Sequence, residues 1–305
     1  MKHRSLRILP IAILAGTCTL APATAKVRVV TTTTDLASIA REIGGDRVEV
    51  TAIAAGHQDP HFVDAKPSYL VRLQRADLFV EVGLELEIGW APTLLTNSRN
   101  ARIQPGGPGY VDASTGVERL QVPSAVDRTQ GDIHPYGNPH YWLDPANGHR
   151  IAANIAAGLE RVDPEGAVGY RQRQAAFDSR LDRALARWAG EAAVLAGVPV
   201  VAYHNSWPYF ERRFGFDVVA FVEPKPGIPP SGRYVAELAE RMKRDGVKLI
   251  LMSTFYDQKT ADLVARLSGA EIVTLANSVE GIEGADDYLK LFDVNLSRLL
   301  AAVRD

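Results

Sequence analysis

Three histidines stand far apart in this chain, each in a stiff, apolar setting: Asp59-Pro60-His61, Asn138-Pro139-His140-Tyr141-Trp142 and Tyr203-His204-Asn205-Ser206-Trp207. Neutral imidazole is the commonest metal-ligating side chain, and three of them with one open position suit zinc. The chain has 7 histidines in all, and these three sit beside prolines or aromatic rings. Pro60 and Pro139 each fix their own φ directly before the histidine and narrow its approach. Trp142 and Leu143 follow His140 and would shield it from water, a common setting for a metal pocket. Asp144 and Pro145 come next, and this pair reads as an N-cap and first turn of a helix. His204 ends an apolar run at 198–203, and a polar residue at the end of a buried parallel strand points to a site. Taken singly, each of the three reads equally well as a packed or hydrogen-bonded histidine.

The elements that must position them alternate. Strand-like runs at 27–32, 48–53 and 78–82 are separated by helix-like runs at 36–43 and 68–75. After a stretch rich in proline and glycine that reads as loops and short strands (103–138), strand candidates recur at 198–202, 218–222, 249–252 and 272–275. Helix candidates lie at 234–245, 258–267 and 286–303. This alternation predicts an α/β protein with two mostly parallel sheets flanked by helices. Between the two blocks, residues 165–196 lack proline and are rich in strong helix formers. Phe177, Leu181, Leu185 and Trp188 repeat there at helical spacing. The expectation is one long helix of about 27 residues beginning near Tyr170, roughly 40 Å at 1.5 Å per residue, joining two lobes. The alternative is a core helix of a single domain. The expected organisation is 1–25 as an export signal, 26–164 as the first lobe, 165–196 as the linking helix and 197–305 as the second lobe.

The first 25 residues carry Lys2, Arg4 and Arg7, an apolar run at 8–20 and a small-x-small pattern at Ala23-Thr24-Ala25. That is a cleavable signal, too short to span a bilayer as a helix. Cys18 is the single cysteine and lies within it. Thr17 stands where a lipoprotein signal carries a small residue, so lipidation of Cys18 is not expected. The remaining chain then has no disulfide and no thiolate ligand, which fits a bacterial periplasm. Of 34 basic and 36 acidic side chains, the signal takes three basic ones, leaving 31 against 36, a net charge of −5. No basic cluster marks a nucleic-acid partner.

The order and contexts of these residues resemble the metal-specific solute-binding proteins of bacterial ABC importers, the zinc and manganese family (cluster A-I). The resemblance covers nearly the whole chain after the signal. It rests on Thr31 to Asp35 with Gly44-Gly45, the Asp59-Pro60-His61 loop, and Ala76-Asp77-Leu78 leading into Gly83-Leu84-Glu85. It continues through Asn138 to Pro145, then His204 with Tyr209-Phe210 and Phe214-Gly215. It implies two α/β lobes bridged by a long helix, with metal in the cleft, no catalysis, and delivery to the importer's membrane permease by a monomeric protein. It also implies an acidic fourth ligand after the strand at 272–275. Here Asn277 stands in that place. Three readings of the fourth position follow: it holds water, Asn277 binds weakly, or another residue, His134 or Glu223, closes the site. Manganese-type members tend to carry a carboxylate where this chain has His204. Imidazole suits zinc and carboxylate suits manganese, so Zn2+ is expected in preference to Mn2+.

Two other classes compete. Three histidines and a bound water also match a zinc hydratase or hydrolase, but no H-E-x-x-H motif supplies a general base. A structural or adhesive role would leave the histidines incidental. The proline-rich stretch from Glu223 to Ser231 reads as a rigid turn, with Ser231 capping the next helix, or as a wall of the cleft or a surface read by the importer.

Overall fold

Runs of β-branched and aliphatic residues form eight short parallel strands in two sheets. The structure, a computed structural model, describes residues 25–125, 131 and 133–304. Residues 1–24 of the expected signal, with Cys18, lie outside the described residues. The first sheet contains β1 (Val27–Thr31), β2 (Val48–Ala52), β3 (Leu78–Glu81) and β4 (Tyr110–Asp112), in the order β2-β1-β3-β4. Its helices are α1 (Thr34–Gly44), α2 (Pro67–Arg75), α3 (Ala91–Ser98) and α4 (Asn147–Val162). After α5 (Ala167–Glu191), the second sheet is built from β5 (Pro199–Ala202), β6 (Asp217–Phe221), β7 (Leu249–Met252) and β8 (Glu271–Thr274), in the order β6-β5-β7-β8. The accompanying helices are α6 (Pro208–Phe214), α7 (Gly232–Asp245), α8 (Gln258–Ser268) and α9 (Tyr288–Arg304). The two strand orders are the same pattern, and every pairing is parallel.

Alternation along the strands explains the layering, because successive side chains point to opposite faces. Val29, Leu78 and Val80 face one core, whereas Val30 and Phe79 face another with α2 and α3. In the second sheet Val200, Leu249 and Leu251 join the same core as Val29. Val201, Ile250 and Met252 instead pack with α7 and α8. One continuous apolar core therefore runs between the lobes, and each sheet's far face has a core of its own.

The long helix α5 lies in that shared core. It has 25 residues, so it spans about 37 Å. It starts at Ala167, three residues before the expected Tyr170, because a 3₁₀ turn at Pro164–Gly166 feeds into it. A second 3₁₀ turn, Ala192–Leu195, follows its end. Its buried stripe is Tyr170, Phe177, Leu181, Ala184 and Trp188; Leu185 is only partly buried. Trp188 Nε1 donates to Asp293 Oδ1 of α9 at 2.7 Å, tying the helix to the second lobe.

Two local expectations change, while the stretch 103–138 holds a short strand as expected: β4, at the edge of the first sheet. A helix absent from the pattern reading, α3, precedes it. Asp144 does not cap α4, whose N-cap is Ala146 without a side-chain bond. Instead its Oδ1 accepts the Ala146 N–H at 3.0 Å, and the buried carboxylate pairs with Arg213 of α6 at 2.6 Å. Ser231 does cap α7, accepting the Tyr234 N–H at 3.2 Å.

Candidate metal centre

The three histidines arrive from separate elements at the C-terminal edges of the sheets, where α/β proteins bind ligands. His61 lies on the loop after β2. This loop meets the opposite lobe backbone to backbone at Gly56, where an added Cβ would stand 2.0 Å from the Val279 carbonyl oxygen. Trp90 Nε1 fixes the same loop by donating to the Pro60 carbonyl at 3.0 Å. His140 leads a 3₁₀ turn (Tyr141–Leu143) into α4. Tyr141 anchors that turn by donating to the Val82 carbonyl at 2.8 Å. His204 lies two residues beyond β5.

One ring nitrogen from each of His61, His140 and His204 lies within 4.8 Å of the other two. The other nitrogens are occupied. His61 Nδ1 is 2.7 Å from Asp59 Oδ1, and the same oxygen accepts the His61 backbone N–H at 3.0 Å. His140 repeats the device: Asn138 Oδ1 accepts its backbone N–H at 3.0 Å and lies 3.0 Å from Nδ1. In each Asx-Pro-His segment the side chain two residues upstream clamps both backbone and ring. His204 uses a different partner, Glu223 Oε2, 2.7 Å from its Nδ1. Each Nδ1 thus faces an oxygen acceptor and carries the proton, which leaves Nε2 as the lone-pair nitrogen. Nε2 of His61 and of His140 is buried and without a hydrogen-bond partner among the described residues.

Burial and electrostatics keep the His140 ring neutral. His140 is 1% exposed. Burial first, then the charges of His61, His204 and His134, hold its pKa well below the ordinary histidine value. Burial by itself pushes Asp59 up, but its hydrogen bonds and charge interaction with His61 outweigh this and hold it below the usual carboxylate range.

The three further candidates fall in different places. Glu223 stands behind His204, on the Nδ1 side, and its Oε2 also accepts the Gly227 N–H at 3.1 Å. It is therefore placed to orient the His204 ring. His134 comes close to the group: its ring centroid is 5.2 Å from that of His61. Burial and then the neighbouring imidazoles lower its pKa to about 4. With Pro224 and Pro226 it lines a cavity of about 400 Å³ that reaches His140 and His204. The proline-rich stretch thus forms a wall of this opening. Asn277 is 2% exposed, and its carbonyl accepts Trp142 Nε1 at 2.8 Å. The Trp142 ring in turn lies 5.3 Å from the His140 ring. Oδ1 and Nδ2 of Asn277 are buried and unpartnered among the described residues.

Sequence reading missed the clamps. Both Asx-Pro-His segments are visible in the chain, and their repetition was the available signal. The reading credited rigidity to the prolines, whereas the Asp59 and Asn138 side chains hold the rings.

Two similar parallel sheets joined through a long helix, with ligand-type side chains gathered at their facing edges, define a two-lobed α/β binding protein. Residues 29–302 match the family model described as ZnuA, zinc-uptake complex component A, periplasmic, and the chain belongs to that family. It is 27% identical over 286 residues to the manganese ABC transporter substrate-binding lipoprotein PsaA of Streptococcus pneumoniae, covering 90% of this chain and 88% of the relative. It is 24% identical over 286 residues to the high-affinity zinc uptake system protein ZnuA of Bacillus subtilis (strain 168), covering 92% and 87%. A crystal structure of ZnuA superposes with a TM-score of 0.77 at 24% identity, covering 91% of this chain and 99% of that one, a likeness of fold.

Proposed function

We propose that this protein is the periplasmic zinc-binding component of an ABC importer, carrying Zn2+ as cargo to the membrane permease as a monomer. The observation that carries the reading is the convergence of three histidine nitrogens within 4.8 Å of one another, each ring already oriented through its other nitrogen. In this reading His61, His140 and His204 are the ligands. Tetrahedral ligation at about 2.1 Å sets nitrogens about 3.4 Å apart, so closure by no more than about 1.4 Å completes the site. Asn277 Oδ1 or His134 supplies the fourth position, or water does. The lobes divide at 164 and 197. No helix among the described residues is long and apolar enough to cross a membrane.

Manganese is the second reading. It is favoured by the name of the pneumococcal relative and by the unpartnered oxygen of Asn277, a harder donor than imidazole. Elemental analysis of protein purified without added metal decides between the two: zinc is expected, and manganese would overturn the assignment. His140→Ala should abolish stoichiometric binding in a chelator competition, and unchanged affinity would refute the three-histidine site. We assign no reaction to the protein. Esterase or hydratase turnover by the zinc-loaded form would contradict this.

A further inference from the structure

Behind His204 lies a second aromatic layer whose role the ligand set leaves unexplained. Tyr256 sits on the turn between β7 and α8. Its backbone is held on both sides: its N–H donates to the Ser253 carbonyl at 3.2 Å, and the next residue, Asp257, caps α8 by accepting from Lys259 and Thr260. Its ring stacks on His204, with centroids 5.8 Å apart and planes at 28°. On Tyr203 it stacks at 4.7 Å and 11°. Its hydroxyl is 3.4 Å from Ser206 Oγ.

The Glu223 bond holds His204 at one point on the ring edge. One edge contact leaves the imidazole free to tilt about it, and tilting swings Nε2 away from the other two histidines. A flat aromatic face removes that freedom. His61 and His140 have no need of it, because their clamps grip the ring and the backbone together.

We infer that Tyr256 is a positioning residue of the metal centre, which fixes the plane of His204 by stacking and so sets the geometry of the bound ion. This rests on the function proposed above. The flat ring is the operative part, and the hydroxyl is secondary.

The test uses the full exported protein with Zn2+ and with Co2+, whose visible absorption reports coordination geometry. Tyr256→Ala should weaken zinc binding by about tenfold, the lower end of what outer partners of metal-bound histidines contribute. It should also change the Co2+ band positions and intensities. Tyr256→Phe, which keeps the ring face, should restore both. Tyr256→Leu, which keeps bulk without a flat face, should behave like the alanine variant, and it covers the case in which that variant folds poorly. An unaltered Co2+ spectrum and affinity in Tyr256→Leu would overturn the inference. So would a phenylalanine variant as impaired as the leucine one, since the hydroxyl would then be the operative group. If the wild-type protein takes up neither ion, the proposed function itself fails; wild-type binding with an indifferent Tyr256 sinks only the positioning role.

Discussion

Asp59 and Asn138 clamp their histidines with the same geometry, but only Asp59 brings a negative charge. Asp59→Asn should therefore keep the acceptor for the His61 ring and backbone while removing that charge. The carboxylate oxygen stands 2.7 Å from His61 Nδ1. With the ring and a metal bond of about 2.1 Å between them, it lies about 7 Å from a bound ion. A single negative charge at that range attracts a dication by about 1 kcal/mol at a dielectric of about 80, and by about 5 kcal/mol at about 20. Partners of metal-bound histidines contribute about 10- to 100-fold in affinity, inside that bracket. We expect a loss of that size, read by competition with a chromogenic chelator at constant ionic strength. Asp59→Ala should lose more, because it also frees the ring. The step from Asn to Ala then measures orientation, and the step from Asp to Asn measures charge. Asn138→Asp is not the mirror experiment: Asn138 Nδ2 donates to the Asn205 carbonyl at 2.8 Å, and a carboxylate there would face that oxygen. If Asp59→Asn binds zinc within about threefold of wild type, below the smallest effect of a removed outer partner, the charge contributes nothing and the reasoning is wrong.

Two further outcomes follow from the lobe contact. Asp35 Oδ1 accepts the Val279 N–H at 2.9 Å, and burial raises its carboxyl pKa to about 7. A raised acid favours folding while it is protonated, so this stability is full below about pH 4 and is lost as pH rises through 7. The shift amounts to about 4 kcal/mol. Denaturant titrations of metal-free protein should therefore fall less steeply with pH in Asp35→Asn, and an unchanged slope would show that Asp35 is ionised when folded. Gly56→Ala places a Cβ 2.0 Å from the Val279 carbonyl oxygen, so one loop must shift. A loss of about 1–3 kcal/mol is expected, with weaker zinc binding, checked by melting with and without metal.

The parallel sheets were readable because their strands are buried on both faces and so appear as short apolar runs; β7 is buried at all four positions. For β4 only a short strand somewhere in 103–138 was readable, because it is a three-residue edge strand set among prolines and glycines. The Gly-free, proline-free run at 170–188, with Phe177, Leu181, Leu185 and Trp188 at helical spacing, announced α5. The site histidines stood out by residue type and by neighbouring prolines. The partners of His204 were harder to read: Glu223 stood out only as a possible ligand and Tyr256 not at all, since they come from loops 19 and 52 positions downstream and meet His204 through sheet topology. Asp144 misled for a similar reason. Its local sequence is that of a cap, but Arg213, 69 residues away, captures the carboxylate.

The same contacts bear on how cargo would leave. A hinge opening would have to part a core that includes Val29 and Trp142 on one side and Leu251 and Phe292 on the other. It would also break buried bonds between the lobes: Thr34 Oγ1 to the Val279 carbonyl at 2.6 Å, Trp142 Nε1 to the Asn277 carbonyl at 2.8 Å, and Tyr288 Oη to the Trp142 carbonyl at 2.8 Å. Each such bond left unmade and buried costs about 1–3 kcal/mol, and exposing shared core adds to that. His61, by contrast, sits on a loop tied beside it by one tryptophan bond, its own clamp and the packing of Val63, with Gly56 touching the other lobe. Local loosening of that loop breaks fewer contacts than parting the lobes. Under the proposed function these contacts favour metal exchange through a nearly fixed pair of lobes, with His61 expected to let go first.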